Sequence, residues 1–320
     1  MNPLGVGQHL SAGKPNAPSF DNRGASLRVK LGALFRGRGS WRGGRHFQFE
    51  VNGRSVVYCY IRKNACSAFV KLICEESPHR SRLADYADPH EFLSRHHRTR
   101  STGEIEAADH RLFVYRNPIE RMVSLFKNKF IARVNNADIL ASYARLAKQD
   151  PDQASFRDFV LRYLGEDQAK LDPHCLSQYR HLLPVNYTDA IRMDSLRIGL
   201  VPVIGHNLSE KYFRSKLNSS LAIEDAESAH DVPSSVLHRK YKEAGLMPSV
   251  AAILDQEIED RLSEIYADDQ RMIETLSNAS ARSRSASASD PSLNSPSNRD
   301  PQAWSEQSNP RATAHSRRPR

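Results

Sequence analysis

The chain of 320 residues predicts a three-layer α/β fold around a central parallel sheet, and three observations carry that expectation. Residues 56–61 and 112–115 are short apolar runs of β-branched and aromatic residues, the pattern of strands buried on both faces. Each gives way at once to a helical apolar period, so the order strand–turn–helix occurs twice, as in a parallel sheet. The composition also shifts at both ends, to Gly, Arg, Ser and Pro before residue 47 and to Ser, Arg, Pro and Asn after 276. A globular domain over residues 47–276 is therefore expected between a disordered arm, 1–46, and a disordered tail, 277–320.

Within the domain, Phe47-Gln48-Phe49-Glu50-Val51 alternates as a short strand. After the run at 56–61 the chain turns through Arg62-Lys63-Asn64-Ala65, and Phe69, Val70, Ile73 and Cys74 then recur at helical spacing, with Cys66 and Ser67 in the first turn. A lysine loop delivered onto a helix N-terminus can hold a phosphate or sulfate, because free N–H groups and the helix dipole add to the Lys63 charge. A solvated lysine in an ordinary βα turn is the alternative, since no glycine-rich phosphate loop is present. The polar connection that follows carries a weak helical pattern (Leu83, Tyr86, Phe92, Leu93) and the cluster Arg95-His96-His97-Arg98.

The second unit is a strand, Leu112-Phe113-Val114-Tyr115, and then a helix opened by Asn117-Pro118-Ile119-Glu120, with Asn as N-cap, Pro at the first helical position and Glu completing a capping box. Ile119, Met122, Val123, Phe126 and Phe130 share one face of that helix, and Ser124 lies on its second turn. Arg116 stands at the carboxyl end of the strand. Ligands of parallel α/β sheets bind beyond the carboxyl ends of the strands, so Arg116 and the Lys63 loop belong to one edge, and a ligand with two separated anionic groups would use both. Farther on, the pattern predicts a helix over 155–164 closed by Gly165, a short strand at 201–204, and a long terminal helix or helix pair over 250–276.

Of the net charge of +9, residues 1–54 hold +7 and residues 277–320 hold +4, which leaves −2 for the middle. The basicity belongs to the tails, so it argues only weakly for a domain that grips nucleic acid. No run reaches the ~18–20 apolar residues of a membrane span. The first residues lack the basic start and apolar centre of a secretory signal, and a soluble, cytoplasmic protein is expected. Cys59, Cys66, Cys74 and Cys175 include no metal-ligand pair, and no metal is expected.

Arg62-Lys63-Asn64-Ala65-Cys66-Ser67 resembles the 5′-phosphosulfate loop of the carbohydrate-type (family 2) sulfotransferases, where a Pro-Lys-Asn-Ala-Cys-Thr-like run is usual. Phe113-Val114-Tyr115-Arg116-Asn117-Pro118-Ile119-Glu120-Arg121-Met122-Val123-Ser124 is similar to their 3′-phosphate segment, F-V-R-D-P-x-E-R-L-V-S, with Lys127-Asn128-Lys129-Phe130 in place of a Y-R-N-K-F run. Arg62 stands where proline is usual and Asn117 where aspartate is. The resemblance implies a P-loop-NTPase-like sulfotransferase fold with helical additions. It implies 3′-phosphoadenosine-5′-phosphosulfate (PAPS) as donor, adenosine 3′,5′-bisphosphate as product, no metal, and an acceptor hydroxyl, on a carbohydrate or glycan. Lys63 would stabilise the leaving oxygen, Arg62, Asn64, Ala65, Cys66 and Ser67 would form the loop around the 5′-phosphate, and Arg116 with Ser124 would hold the 3′-phosphate.

His96, His97 and His174 are the candidate histidine bases for the acceptor hydroxyl. His97 lies in the connection where related hexuronyl sulfotransferases keep a histidine. His174 lies in Asp172-Pro173-His174-Cys175, similar to an HW-containing acceptor-side motif with Cys for Trp. Glu75, Glu76 and Asp194 stay open as well. Residues 190–193 resemble the short strand that precedes a family acidic residue, here Asp194, and Ile265-Tyr266-Ala267-Asp268-Asp269 resembles the tyrosine and acid near the end of family members. Two other functions remain: a nucleotide kinase, against which stands the missing G-x-x-x-x-G-K-[ST] pattern, and an inactive sulfotransferase-like binding protein whose basic tails touch nucleic acid.

Overall fold

A computed structural model describes residues 44–214 and 223–288, so the expected arm (except its last three residues) and the tail beyond 288 lie outside the described residues. The central sheet has the order β1 (His46–Val51), β2 (Arg54–Cys59), β3 (His110–Tyr115), β4 (Asp189–Arg192). β2, β3 and β4 run parallel, with Val57 opposite Arg111 and Phe113 opposite Ala190. β1 is antiparallel to β2 because the two are joined only by Asn52-Gly53, both at positive φ (51° and 71°), the geometry of a tight hairpin and too short for a crossover.

The helices, in chain order, are α1 (Cys66–Glu76), α2 (Pro89–His96), α3 (Thr102–Glu106), α4 (Pro118–Phe126), α5 (Ala137–Ala147), α6 (Phe156–Asp158), α7 (Leu196–Ile204), α8 (His206–Phe213), α9 (Ser234–Ala244), α10 (Val250–Ile253), α11 (Gln256–Ile265) and α12 (Ala267–Ala288). α4 and α6 run on into π turns, Lys127–Ile131 and Phe159–Tyr163.

Strand alternation builds the layers. Val56, Tyr58 and Tyr60 join Leu112 and Val114 in a core closed by Phe69 and Ile73 of α1, Phe92 of α2, Leu200 of α7 and Tyr212 of α8. Val57, Cys59 and Ile61 join Phe113 and Tyr115 on the opposite face, under Tyr179, Leu182, Tyr187 and, from α12, Met272 and Leu276. A third core is built from α4, α5, α6, α9 and α11, and a separate parallel pair, β5 (Ile223–Asp225) and β6 (Leu246–Pro248), contributes Met247 to it. Among the described residues no helix is long and apolar enough to cross a membrane.

Three expectations need correction. The run at 201–204 is no strand but the end of α7, whose Leu196, Leu200, Val203 and Ile204 are buried at helical spacing. Gly199 lets that helix sit close on the sheet, since a Cβ there would come within 2.7 Å of Ile191 on β4. The terminal stretch forms three helices, α10 to α12. The last of them continues past residue 276 to Ala288 through a Ser- and Ala-rich segment, and Ser277 on it donates to the Ile273 carbonyl.

Candidate active site

Both cation-bearing turns leave the sheet at the carboxyl ends of neighbouring parallel strands, β2 and β3. After β2 the backbone is left-handed at Lys63 (φ 68°) and Ala65 (φ 56°). Ala65 precedes α1 and no side chain caps the helix. The N–H groups of Ala68 and Phe69 reach the Ala65 carbonyl, which leaves those of Cys66 and Ser67 for an anion. Asn64 pins the loop from below: it is fully buried, and its Nδ2 donates to the Val114 carbonyl (2.8 Å) and to Gln178 Oε1 (2.7 Å).

Positive charge predominates at this edge, from Lys63, Arg116, Arg121 and Lys129. Burial pulls the Lys63 ammonium down to about 8; Cys66 opposes the shift, while Lys129, Arg116 and Arg121 add to it. Burial likewise lowers Arg116, against the opposing pull of Glu120. Among the described residues the buried Arg116 Nε has no acceptor, and the guanidinium pairs with the exposed Glu120, at 3.3 Å. That pairing explains why the expected capping box does not form. Asn117 alone caps α4, accepting from Ile119 N (2.8 Å) and Glu120 N (3.3 Å), while the Glu120 carboxylate turns to the neighbouring cation. Desolvated cations without matched counter-charges are the environment an anionic ligand completes. Ser67 is exposed on the first turn of α1, and Ser124 is half-buried on α4.

A second loop closes on the first. Arg121, fully buried, donates to the carbonyls of Arg62 (3.1 Å), His174 (3.0 Å) and Leu176 (2.8 Å), so one guanidinium clamps the lysine loop against the segment bearing His174. Tyr266 and Asp269 hold that segment from behind: the Tyr266 hydroxyl donates to the Cys175 carbonyl (2.6 Å), and Asp269 accepts from Gln178 N and Tyr179 N (both 2.9 Å). His174 Nδ1 lies 2.6 Å from Asp172 Oδ1, and Nε2 has no partner among the described residues. Burial lowers His174; the Asp172 hydrogen bond opposes this, and Arg62 and Lys129 reinforce it, so the ring is neutral at pH 7. Burial alone would raise Asp172, but the hydrogen bonds from His174 outweigh it and hold the carboxyl below the usual range. Lys129, itself buried, donates to the carbonyls of Val134 (2.9 Å) and Asn135 (2.7 Å).

His97 is elsewhere. Its Nε2 is 2.8 Å from Ser77 Oγ and its Nδ1 is 2.8 Å from the Gln48 carbonyl, which places it at the C-terminal end of α1 with both ring nitrogens engaged. Eleven helical residues span ~16 Å, so the length of α1 separates it from the lysine loop. His96 bonds Tyr86 (2.7 Å), and Glu75 and Glu76 both accept from Tyr212 at the same far end. Asp194 follows β4, exposed and paired with Arg192. Of the candidate bases, only His174 is tied to the lysine loop through Arg121.

Asp172, Gln178, Arg121 and Lys129 are parts of this arrangement that the sequence reading left without a role. The spacing Asp-x-His was a usable signal for the first. A lone Gln in a loop offers none.

The model of the Sulfotransferase family (family 2) matches residues 48–272, and the chain belongs to that family, whose chemistry is sulfuryl transfer. No curated protein and no solved structure gives a match.

Proposed function

We propose that the protein transfers the sulfuryl group of PAPS to a hydroxyl of a carbohydrate. The observation that carries the donor is the pair of cationic βα turns on neighbouring parallel strands, which suits a nucleotide with phosphates at two positions of its ribose. The residues present fit such a ligand: among the described residues the Arg116 Nε has no acceptor, and no side chain caps the N–H groups opening α1. Residues 62–67 would hold the 5′-phosphosulfate, and Arg116 with Ser124 the 3′-phosphate. When bound, the donor supplies an activated sulfur–oxygen bond.

The chain's own contribution is positioning and charge. Lys63 neutralises the bridging oxygen as its bond to sulfur breaks. His174 Nε2 takes the proton of the acceptor hydroxyl as the new oxygen–sulfur bond forms, and Asp172 keeps the Nδ1 proton and the ring orientation fixed. His97, bonded at both nitrogens and distant, is given no part in the reaction. The carbohydrate acceptor rests on the motif resemblance.

Thermal shift with adenosine 3′,5′-bisphosphate, ATP-Mg²⁺ and RNA tests this reading. Stabilisation by the bisphosphate alone is expected, since a ligand that binds the native state must raise its stability. Stabilisation by ATP-Mg²⁺ without the bisphosphate would overturn it. Transfer of labelled sulfate to polysaccharide rather than to small phenols then tests the acceptor class.

A further inference from the structure

We propose that Gln178 is a positioning residue that locks the two donor-binding turns to the loop carrying His174, so that nucleotide affinity and placement of the base depend on one side chain. The inference rests on the sulfotransferase reading above. Gln178 is fully buried in the segment between the π turn Phe159–Tyr163 and β4. Its Oε1 accepts from Asn64 Nδ2 (2.7 Å) and from the backbone N–H of Arg116 (3.0 Å). Its Nε2 donates to the Arg116 carbonyl (2.9 Å) and to Asp269 Oδ2 (3.2 Å). Both lone pairs and both protons of the amide are used.

The partners give this saturation its meaning. Asn64 adjoins Lys63, Arg116 is the second cation of the edge, and His174 lies four residues before Gln178 on the same loop. The amide grips the Arg116 peptide by its N–H and its C=O together, as a paired strand would, just where β3 has ended. Asp269 completes the lock by accepting from the backbone of Gln178 and Tyr179, which fastens the loop to the first turn of α12. A displacement of the lysine loop, of Arg116 or of the His174 loop therefore strains the other two.

No other side chain of this shape supplies two acceptors on one side and two donors on the other. Gln178→Met keeps the volume and removes all four hydrogen bonds. Gln178→Glu keeps the oxygen that faces Asn64 but sets a second acceptor against the Arg116 carbonyl and the Asp269 carboxylate.

The experiment uses the full chain, with bisphosphate titration, turnover and the pH profile of kcat/KM measured on the parent and both variants. A scaffold role alone would lower the melting temperature and leave these readouts as they are. The positioning role predicts three changes in folded variants: a bisphosphate Kd raised about tenfold or more, kcat lowered about tenfold or more, and an acid limb moved up toward the ordinary histidine value as His174 becomes solvated. A parent that fails to bind bisphosphate removes the sulfotransferase reading itself. A parent that binds, beside folded variants that keep its Kd, kcat and acid limb, overturns the Gln178 assignment alone. Should neither variant fold, Asn64→Ser cuts the same link from the loop side and must show the paired loss of affinity and turnover; an unchanged kcat there also overturns the assignment.

Discussion

Replacing Arg116 by alanine should weaken nucleotide binding without weakening the fold. The guanidinium is largely buried, its Nε meets no acceptor, and its ion-pair partner Glu120 is more than half exposed at 3.3 Å. A pair of that kind contributes at most about 1 kcal/mol, and deleting it also removes the unfavourable desolvation of the cation. The ligand-bound state is different: charge-assisted hydrogen bonds to a phosphate are worth about 1.5–3 kcal/mol, so the Kd for adenosine 3′,5′-bisphosphate should rise about 10- to 150-fold. With ligand at 100 times the parent Kd, binding adds about 2.7 kcal/mol to the parent, whereas a variant bound 100-fold more weakly sits at its own Kd and gains about 0.4 kcal/mol. At about 2–4 °C per kcal/mol for a domain of this size, the expected thermal shifts are about 5–10 °C and about 1–2 °C. A variant that keeps the full shift refutes Arg116 as a phosphate ligand. One whose ligand-free melting temperature collapses refutes the premise that its charge is unmatched.

Lys63→Met should lower kcat by about 10²–10³-fold while bisphosphate affinity changes less than about tenfold, as read by single-turnover transfer beside equilibrium titration. The anion-binding form of Lys63 is the protonated one, so bisphosphate affinity should fall as pH rises through about 8 and the free ammonium is lost; Lys63→Arg should flatten that fall. His174→Asn should cut kcat about 10²–10⁴-fold with nucleotide binding kept, whereas His97→Leu should lower stability by about 1–3 kcal/mol and spare turnover; the opposite pattern would restore His97 as the base. His46 and His181 are buried neutral, with folded values lowered to about 4 and about 3, mainly by desolvation. As pH drops below about 6.5 the unfolded chain takes up protons that the folded chain refuses, so stability should decline from there toward pH 3–4 in urea titrations, and a flat profile would contradict the burial of both rings.

The sheet and its two βα units were legible because their signals are local. β-branched and aromatic runs, an Asn-Pro helix start and a helical apolar period each act within about ten residues. What stayed hidden depends on neighbours distant in sequence. Gln178 reads as an unremarkable loop residue until Asn64, Arg116 and Asp269 converge on it. Arg121 looks like the polar face of a helix, yet it is fully buried and spends its donors on carbonyls more than fifty residues away. The end of α7 was misread because a four-residue apolar run has no period of its own. Glu120 fits a capping-box pattern, but a cation four residues back competes for the carboxylate. Asn52-Gly53 is a local hairpin signal that went unread, and it sets β1 antiparallel to β2.

The lysine loop holds left-handed backbone at Lys63 and Ala65 without a glycine, a conformation that costs about 1–3 kcal/mol at each such residue, and Asn64 between them is anchored to the strand below. A glycine-rich phosphate loop can settle around its ligand and pays conformational entropy at each binding event. Here the left-handed turns and the Asn64 anchor are set by the fold, so an anion bound there as proposed would meet a loop already shaped for it. Association of the nucleotide should then be a one-step docking, and its departure should need no opening of the loop. Slow steps in turnover would fall to the acceptor or to the chemistry.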